Sequence, residues 1–373
     1  MVRPDRGAPP VVASFNTGPA DLAPGIAEAA AEISASGLLA LSHRGPEVKE
    51  VVAGAIAATR RALGVPDDYV VVTHPSATAS MELALRNLVR THSAHYVGGA
   101  FGARFADSAA RIGIDAHRIE HAPDRAPDLA ASIPRAAEVL TVTHNETSTG
   151  MLWPAEALRE LRRRLHAERP DTLLAIDATS SLGGVPIDFT LGDIWFASVQ
   201  KALGLPAGLA LVIVGPRALE RARRLGRDRD VAPWQDLTVM AERIETGETI
   251  ETPNIFGLAL LGRAMEGFDG TRAAEHCRAL ARRVDEAVTA RGRIDARFFV
   301  RDEAWRSVTI HTLIVPDPRE AIERARARGY VIAPGYRDLK SRSIRIATFP
   351  AHRYEHLTEL LDILEGGGEA RSG

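Results

Sequence analysis

A chain of 373 residues, 45% hydrophobic and 25% charged, has the composition of a soluble globular protein and the length of a large domain with a smaller partner. A net charge of −2 offers no electrostatic footprint for nucleic acid or an anionic membrane, and no apolar run reaches the roughly 20 residues that span a bilayer. The one cysteine, Cys277, excludes an intrachain disulfide framework and suits a reducing cytoplasm.

From the N-terminus, residues 1–14 lack an apolar signal core and read as a loose arm. Helix patterns follow at 46–62, 80–91, 103–112, 155–168 and 217–226, and strand patterns at 69–73, 95–98, 139–144, 173–177, 194–199 and 209–214. Short β-branched runs between longer amphipathic helices predict α/β architecture with a largely parallel sheet. After Pro253 the pattern changes: helices at 256–267, 271–291, 319–328 and 353–365 mix with strand-like 296–301, 307–315, 330–333 and 343–348. A large domain over 15–255 and a smaller α+β domain over 256–366 are therefore expected, with 367–373 a flexible tail. The arginine-dense stretches 162–164 and 221–229 alternate with acidic residues or lie on helix faces, and read as solvated surface.

Only three lysines, Lys49, Lys201 and Lys340, stand among the 46 basic residues. A chain that uses arginine for surface charge points to amine chemistry at one of them, because guanidinium cannot serve as nucleophile or base. Lys201 is the candidate by position. It follows the apolar run Ile194-Trp195-Phe196-Ala197-Ser198-Val199-Gln200 and precedes a turn of small residues, 202–208. An amine at the carboxyl end of a buried strand is desolvated, which lowers its pKa; the competing reading is a lysine that snorkels from a strand end.

The neighbouring strand ends supply companions. Asp177 closes 173–177, Asn145-Glu146-Thr147-Ser148 follows 139–144, and Ser76-Ala77-Thr78 opens the helix at 80. Amine, carboxylate and hydroxyl-rich helix N-terminus on one rim are the set that pyridoxal 5'-phosphate requires. The amine attaches the cofactor, the carboxylate pairs with the protonated pyridine nitrogen, and the helix N-terminus binds the phosphate. Singly each is ordinary, since aspartate after a strand often caps a helix.

With these pieces in place the chain resembles the fold-type I pyridoxal-phosphate enzymes, specifically the class V aminotransferases and their phosphoserine aminotransferase branch. The resemblance runs from about Ser14 to Leu364. It rests on Phe15-Asn16-Thr17-Gly18-Pro19-Ala20, Ser42-His43-Arg44, Asn145-Glu146-Thr147, Asp177 with Ser180-Ser181, Ser198-Val199-Gln200-Lys201, Pro206-Ala207-Gly208-Leu209, Glu251-Thr252-Pro253 and Ile344-Arg345-Ile346-Ala347. It implies a large domain with a mainly parallel seven-stranded sheet, a smaller α+β C-terminal domain, and transfer of an amino group between anionic amino and 2-oxo acids. Lys201 would be the Schiff-base lysine and proton shuttle, Asp177 the pyridinium partner and Thr147 the contact to the ring hydroxyl. Ser76, Ala77, Thr78 and Gln200 would cradle the phosphate, and Phe101 would stack on the ring. Thr252 would reach the cofactor of a neighbouring subunit, which implies a homodimer with shared active sites. Arg345 would grip the substrate α-carboxylate; His43 and Arg44 would bind its distal anion. One departure stands out: many members carry an arginine where this chain has Ser76-Ala77-Thr78. Arg104, Arg337, Lys340 and Arg342 are the candidates to replace that cation.

Other motifs have plainer readings. Gly98-Gly99-Ala100-Phe101-Gly102 misses the dinucleotide-binding spacing. His74 either faces the cofactor or is a hydrogen-bonded loop histidine, and Ser42-His43-Arg44 either binds substrate or caps the helix after Pro46. No histidine or cysteine spacing marks a metal site. Cys277, inside a helix pattern, lacks the mobile loop a desulfurase thiol needs.

Overall fold

Seven strands form the main sheet in the computed structural model, which describes residues 10–226, 231–290 and 294–366. In chain order they are β1 (Val70–His74), β2 (His92–Val97), β3 (Asp115–Glu120), β4 (Val139–Thr143), β5 (Leu173–Asp177), β6 (Ile194–Ser198) and β7 (Ala210–Val214). The spatial order is β1-β7-β6-β5-β4-β2-β3, and only β7 runs antiparallel to its neighbours. β4, β5, β6 and β7 are buried along their whole length, as strands covered on both faces must be. The six parallel strands consequently end on one rim, and register places Thr143 beside Asp177 and Ser198 level with His74 across Ala210. Ligands bind at such a rim because the connecting loops converge there.

A second sheet, all antiparallel, contains β8 (Arg297–Phe298), β9 (Ile310–Ile314), β10 (Ala333–Pro334) and β11 (Ser343–Ala347). Helices Gly270–Asp285, Pro318–Ala327 and Tyr354–Leu364 pack Leu280, Val284, Ala325, Leu357 and Leu361 against Leu313, Ile344 and Ile346. The segment before the first helix also belongs here: Ala13–Ser14 pairs with Tyr330–Val331, and Phe15 is fully buried in this interior. Helix Ile255–Glu266 packs instead on Pro46–Leu63 and Ile26–Ala35, so its apolar face joins the interior of the main sheet.

Several boundaries differ from the periodicity reading. The helix expected from Ser80 starts at Ala77, because Ser76 caps it and its Oγ accepts the Ala79 N–H at 3.1 Å. β3 has no counterpart among the sequence-predicted strands: it is an edge strand of mostly polar residues, and only Ile119 is buried. Helices Ile26–Ala35 and Leu237–Glu245 were likewise not expected. Among the described residues no helix is long and apolar enough to cross a membrane. Of the regions read as loose arm and tail, 1–9 and 367–373 lie outside the described residues, as do 227–229 of the arginine-dense stretch and Arg291 of the long helix.

Candidate active site

The Lys201 side chain is buried at the end of β6, and its Nζ donates to Thr147 Oγ1 at 2.7 Å. Burial pushes the amine down to about 8; the Asp177 charge opposes this and Arg345 adds to it. Of the three lysines it alone is buried, since Lys49 pairs with Glu248 at 2.6 Å and Lys340 is exposed. Gly18 lies against the lysine stem with φ +140°, and a Cβ there would stand 2.8 Å from Lys201 Cε. Glycine therefore lets the N-terminal segment close this wall.

Asp177, at the end of β5, points one carboxylate oxygen at its own turn: Oδ1 accepts the Thr179 amide at 2.9 Å and the Thr179 hydroxyl. Oδ2 has no hydrogen-bond partner among the described residues. Burial raises the Asp177 pKa, while the Thr179 bonds and the Lys201 charge lower it. Thr147 is fixed in turn: its hydroxyl donates to Ser180 Oγ at 2.9 Å, and Ser180 Oγ donates to the Asn145 carbonyl at 2.7 Å.

Arg345 enters from the second sheet. It is buried on β11, with Nε on the Pro334 carbonyl at 2.9 Å and Nη1 on the Thr147 carbonyl at 3.0 Å. No carboxylate among the described residues pairs with it, and burial pulls its pKa down to about 10. A buried, unneutralised guanidinium is costly unless an anion arrives to pair with it. Lys201, Asp177, Thr147 and Arg345 line one cavity of about 250 Å³, together with Asn16, Thr17, Gly18, Ala77, Thr78, Met81, Phe101, Arg104, Thr143, Asn145, Thr179, Ser198, Gln200 and Tyr336.

The aminotransferase class-V family model matches residues 14–313 of this sequence. The chain belongs to the class V aminotransferases. A phosphoserine aminotransferase of Corynebacterium glutamicum is 30% identical over 371 residues, covering 96% of this chain and 95% of that protein. The crystal structure of a phosphoserine aminotransferase from Cytophaga hutchinsonii superposes with a TM-score of 0.90 at 28% identity, covering 96% of this chain and 99% of that one. An aspartate aminotransferase of Thermus thermophilus gives 0.81 at 25% identity, covering 95% and 99%.

Class V aminotransferases work with pyridoxal phosphate, and the cavity suits it. Thr143 Oγ1, Asn145 Oδ1 and Gln200 Oε1, all buried on its wall, find no partner among the described residues. Such groups call for a polar ligand. At the N-terminus of helix Ala77–Leu88 the Ala77 amide donates to Ser198 Oγ at 2.8 Å and the Ala79 amide to Ser76, while the Thr78 amide has no partner among the described residues. That is an anion-binding end. The Phe101 ring lies 5.4 Å from Lys201 Nζ and 5.7 Å from the Tyr336 ring, to which it is tilted by 35°, so that the two make an aromatic wall.

Eight of the sequence-predicted site residues therefore meet: Lys201, Asp177, Thr147, Arg345, Ala77, Thr78, Gln200 and Phe101. Ser76 stays just behind the wall as a helix cap. His43, Arg44 and Thr252 are outside the cavity. Arg44 is exposed and held by Glu248 at 2.9 Å and by the carbonyls of Thr249 and Ile250, and Thr252 lies at the surface beside it. His74 does not line the Lys201 cavity; it is the last residue of β1 rather than a loop residue, bonding Ser80 Oγ at 3.2 Å and stacking near Trp234. Of the four replacement cations, Arg104 lines the cavity, whereas Arg337, Lys340 and Arg342 are exposed and do not. Tyr336, Thr179 and Asn16 to Gly18 had no role assigned from sequence. The motif around Gly18 was a usable signal; Tyr336 left none.

Proposed function

We propose that the protein is a homodimeric phosphoserine aminotransferase of serine biosynthesis, acting in the cytoplasm on O-phospho-L-serine and 2-oxoglutarate to give 3-phosphohydroxypyruvate and L-glutamate. The observation that carries this reading is the pairing in one cavity of a buried amine, Lys201, with a buried guanidinium, Arg345, that no carboxylate among the described residues neutralises. An amino acid substrate needs both: a base at its Cα and a planar fork for its α-carboxylate. The relatives from C. glutamicum and C. hutchinsonii, both phosphoserine aminotransferases, support that substrate over others.

Bound pyridoxal phosphate supplies the electron sink that lets the Cα proton leave. Lys201 Nζ carries that proton, and its lowered pKa makes the neutral, basic form accessible near neutral pH. Thr147 keeps the amine turned toward the cavity, and Asp177 offers its free Oδ2 to the ring nitrogen. Thr78 presents its backbone amide and Gln200 its side-chain amide to the phosphate, with Ala77 lining the same helix end, which Ser76 fixes. Thr252, His43 and Arg44 act from the second subunit, Thr252 on the cofactor phosphate and the other two on the substrate's distal anion.

The second reading is a class V transaminase or lyase acting on another anionic amino acid, favoured by the match to an aspartate aminotransferase at 25% identity. The deciding experiment is the visible spectrum of the cofactor-loaded protein before and after O-phospho-L-serine, L-glutamate or L-aspartate. Bleaching by phosphoserine and glutamate is the expected result. Bleaching by aspartate but not phosphoserine would replace the substrate, and ammonia release without a 2-oxo acid would make it a lyase.

A further inference from the structure

Arg104 sits one turn beyond Phe101 on helix Ala100–Arg111, and its guanidinium lies 4.8 Å from the centre of the Phe101 ring. From there Nη2 donates to the Tyr336 hydroxyl at 3.1 Å and Nη1 reaches Thr78 Oγ1 at 3.4 Å. No carboxylate among the described residues pairs with it. The Thr78 contact is informative, because it places this guanidinium at the Ser76-Ala77-Thr78 loop, which carries no cation of its own. The helix thus returns to the rim the cation that the loop lacks.

Tyr336 separates the two unpaired guanidinium groups of the cavity. Arg345 packs on its ring face at 5.4 Å from the centre, while Arg104 bonds its hydroxyl. A substrate with two anionic ends, held at its α-carboxylate by Arg345, would direct its other end past the tyrosine to Arg104. The neighbouring residue, Arg337, has φ +47°, a conformation costly for a side-chain-bearing residue. Gly335 packs so closely on the Leu339 carbonyl and Ser343 Oγ that a Cβ would stand 2.2 Å from each. The turn bearing Tyr336 is therefore tightly determined, which fixes the phenol between the two cations.

We infer that Arg104 is the specificity-determining residue for the substrate's side-chain anion, a phosphate or carboxylate, and that Tyr336 holds its guanidinium in position until that anion takes over the hydrogen bond. This rests on the aminotransferase reading of the cavity and deepens it, choosing Arg104 from the four candidate cations and giving this chain's own helix a task assigned above to His43 and Arg44. The competing assignment for Arg104 is the cofactor phosphate, reached through Thr78.

The test is Arg104→Gln, with Arg104→Lys beside it, in single-turnover half-reactions of the cofactor-loaded enzyme with O-phospho-L-serine, L-glutamate, L-aspartate and L-alanine. The readout is the ratio of kcat/KM for each dianionic substrate to that for alanine, which has no distal charge. That ratio should fall roughly 100-fold in Arg104→Gln, the scale of losing one partner of a buried charged hydrogen bond, and recover in part in Arg104→Lys. Equal losses for alanine and the anionic substrates would overturn the inference. So would a weakened affinity of the apoprotein for pyridoxal phosphate with the ratio unchanged, which would give Arg104 to the cofactor. A wild type that reacts with aspartate and ignores phosphoserine would change the proposed substrate, yet the same fall in the aspartate ratio would still support Arg104.

Discussion

At the scale of single residues, Lys201 shows how burial sets chemistry. Its amine, pushed down to about 8, is about one-tenth neutral at pH 7, whereas an exposed lysine near 10.5 would be neutral in well under a thousandth of molecules. Only the neutral amine attacks an aldehyde. The rate constant for pyridoxal phosphate joining the apoprotein should therefore rise about tenfold per pH unit below 8 and level off above it. Stopped-flow absorbance between pH 6 and 9.5 checks this; a rise continuing past 9.5 would mean that burial does not control the amine. The sign follows from desolvation, which disfavours the charged form of a lysine. This residue was legible in sequence because scarcity of lysine and an apolar strand before it are both one-dimensional signals. Asp177 was legible for the same reason, as the charged end of a strand buried throughout. Tyr336 was not. It comes to the cavity from the second sheet, and nothing in Pro334-Gly335-Tyr336-Arg337 distinguishes a phenol facing a cofactor site from one on a surface turn.

At the scale of elements, the helix Ala100–Arg111 carries both Phe101 and Arg104, so its first turn governs the shape of the cavity. That turn has no side-chain cap of its own, and its N-cap is Gly99. The buried Glu146 takes over: Oε2 accepts the Phe101 and Gly102 amides at 3.0 Å each, and Oε1 accepts the Ser148 amide at 3.1 Å and its hydroxyl at 2.6 Å. A Cβ on Gly99 would lie 2.4 Å from the Glu146 carboxyl carbon, and one on Gly98 would overlap the His121 ring, which is why the glycine pair precedes the helix. Glu146→Ala should cost about 2–4 kcal/mol by leaving buried amides without acceptors. It should also weaken cofactor binding through Phe101. A thermal midpoint of the apoprotein unchanged from wild type would remove Glu146 from this capping role. The same element shows where periodicity is read correctly and where it is not. Strands β5 and β6 stood out because full burial leaves unbroken apolar runs. The first turns of Ala77–Leu88 and Ala100–Arg111 were read as loop, since small residues that let a helix end approach a ligand look like turn residues. β3 escaped because an edge strand with one buried side chain has no alternation to detect.

At the scale of the whole molecule, the residues assigned to the site fall into two groups, those around Lys201 and those around Thr252. His43, Arg44 and Thr252 lie outside the Lys201 cavity, and Arg44 is drawn toward Glu248, which also binds Lys49 and Arg243. Leu39 and Leu41, just before this segment, and Trp234 beside Thr252 are large apolar side chains left exposed. Exposed apolar groups around a cationic loop suit an isologous interface in which each subunit completes the other's cavity. Such sharing has a consequence that no single-subunit site can imitate. Lys201→Ala and Arg44→Ala should each be nearly inactive as homodimers. In a mixed dimer, the subunit that keeps Lys201 receives an intact Arg44 from its partner, so one of the two sites is whole. Random reassociation of equal amounts makes half the dimers mixed, and the mixture should regain about a quarter of wild-type activity. Reassociation without any gain, although sedimentation shows mixed dimers, would place Arg44 and Lys201 in the same subunit's site and end the shared-site reading. An active monomer in the same sedimentation run would end it more directly.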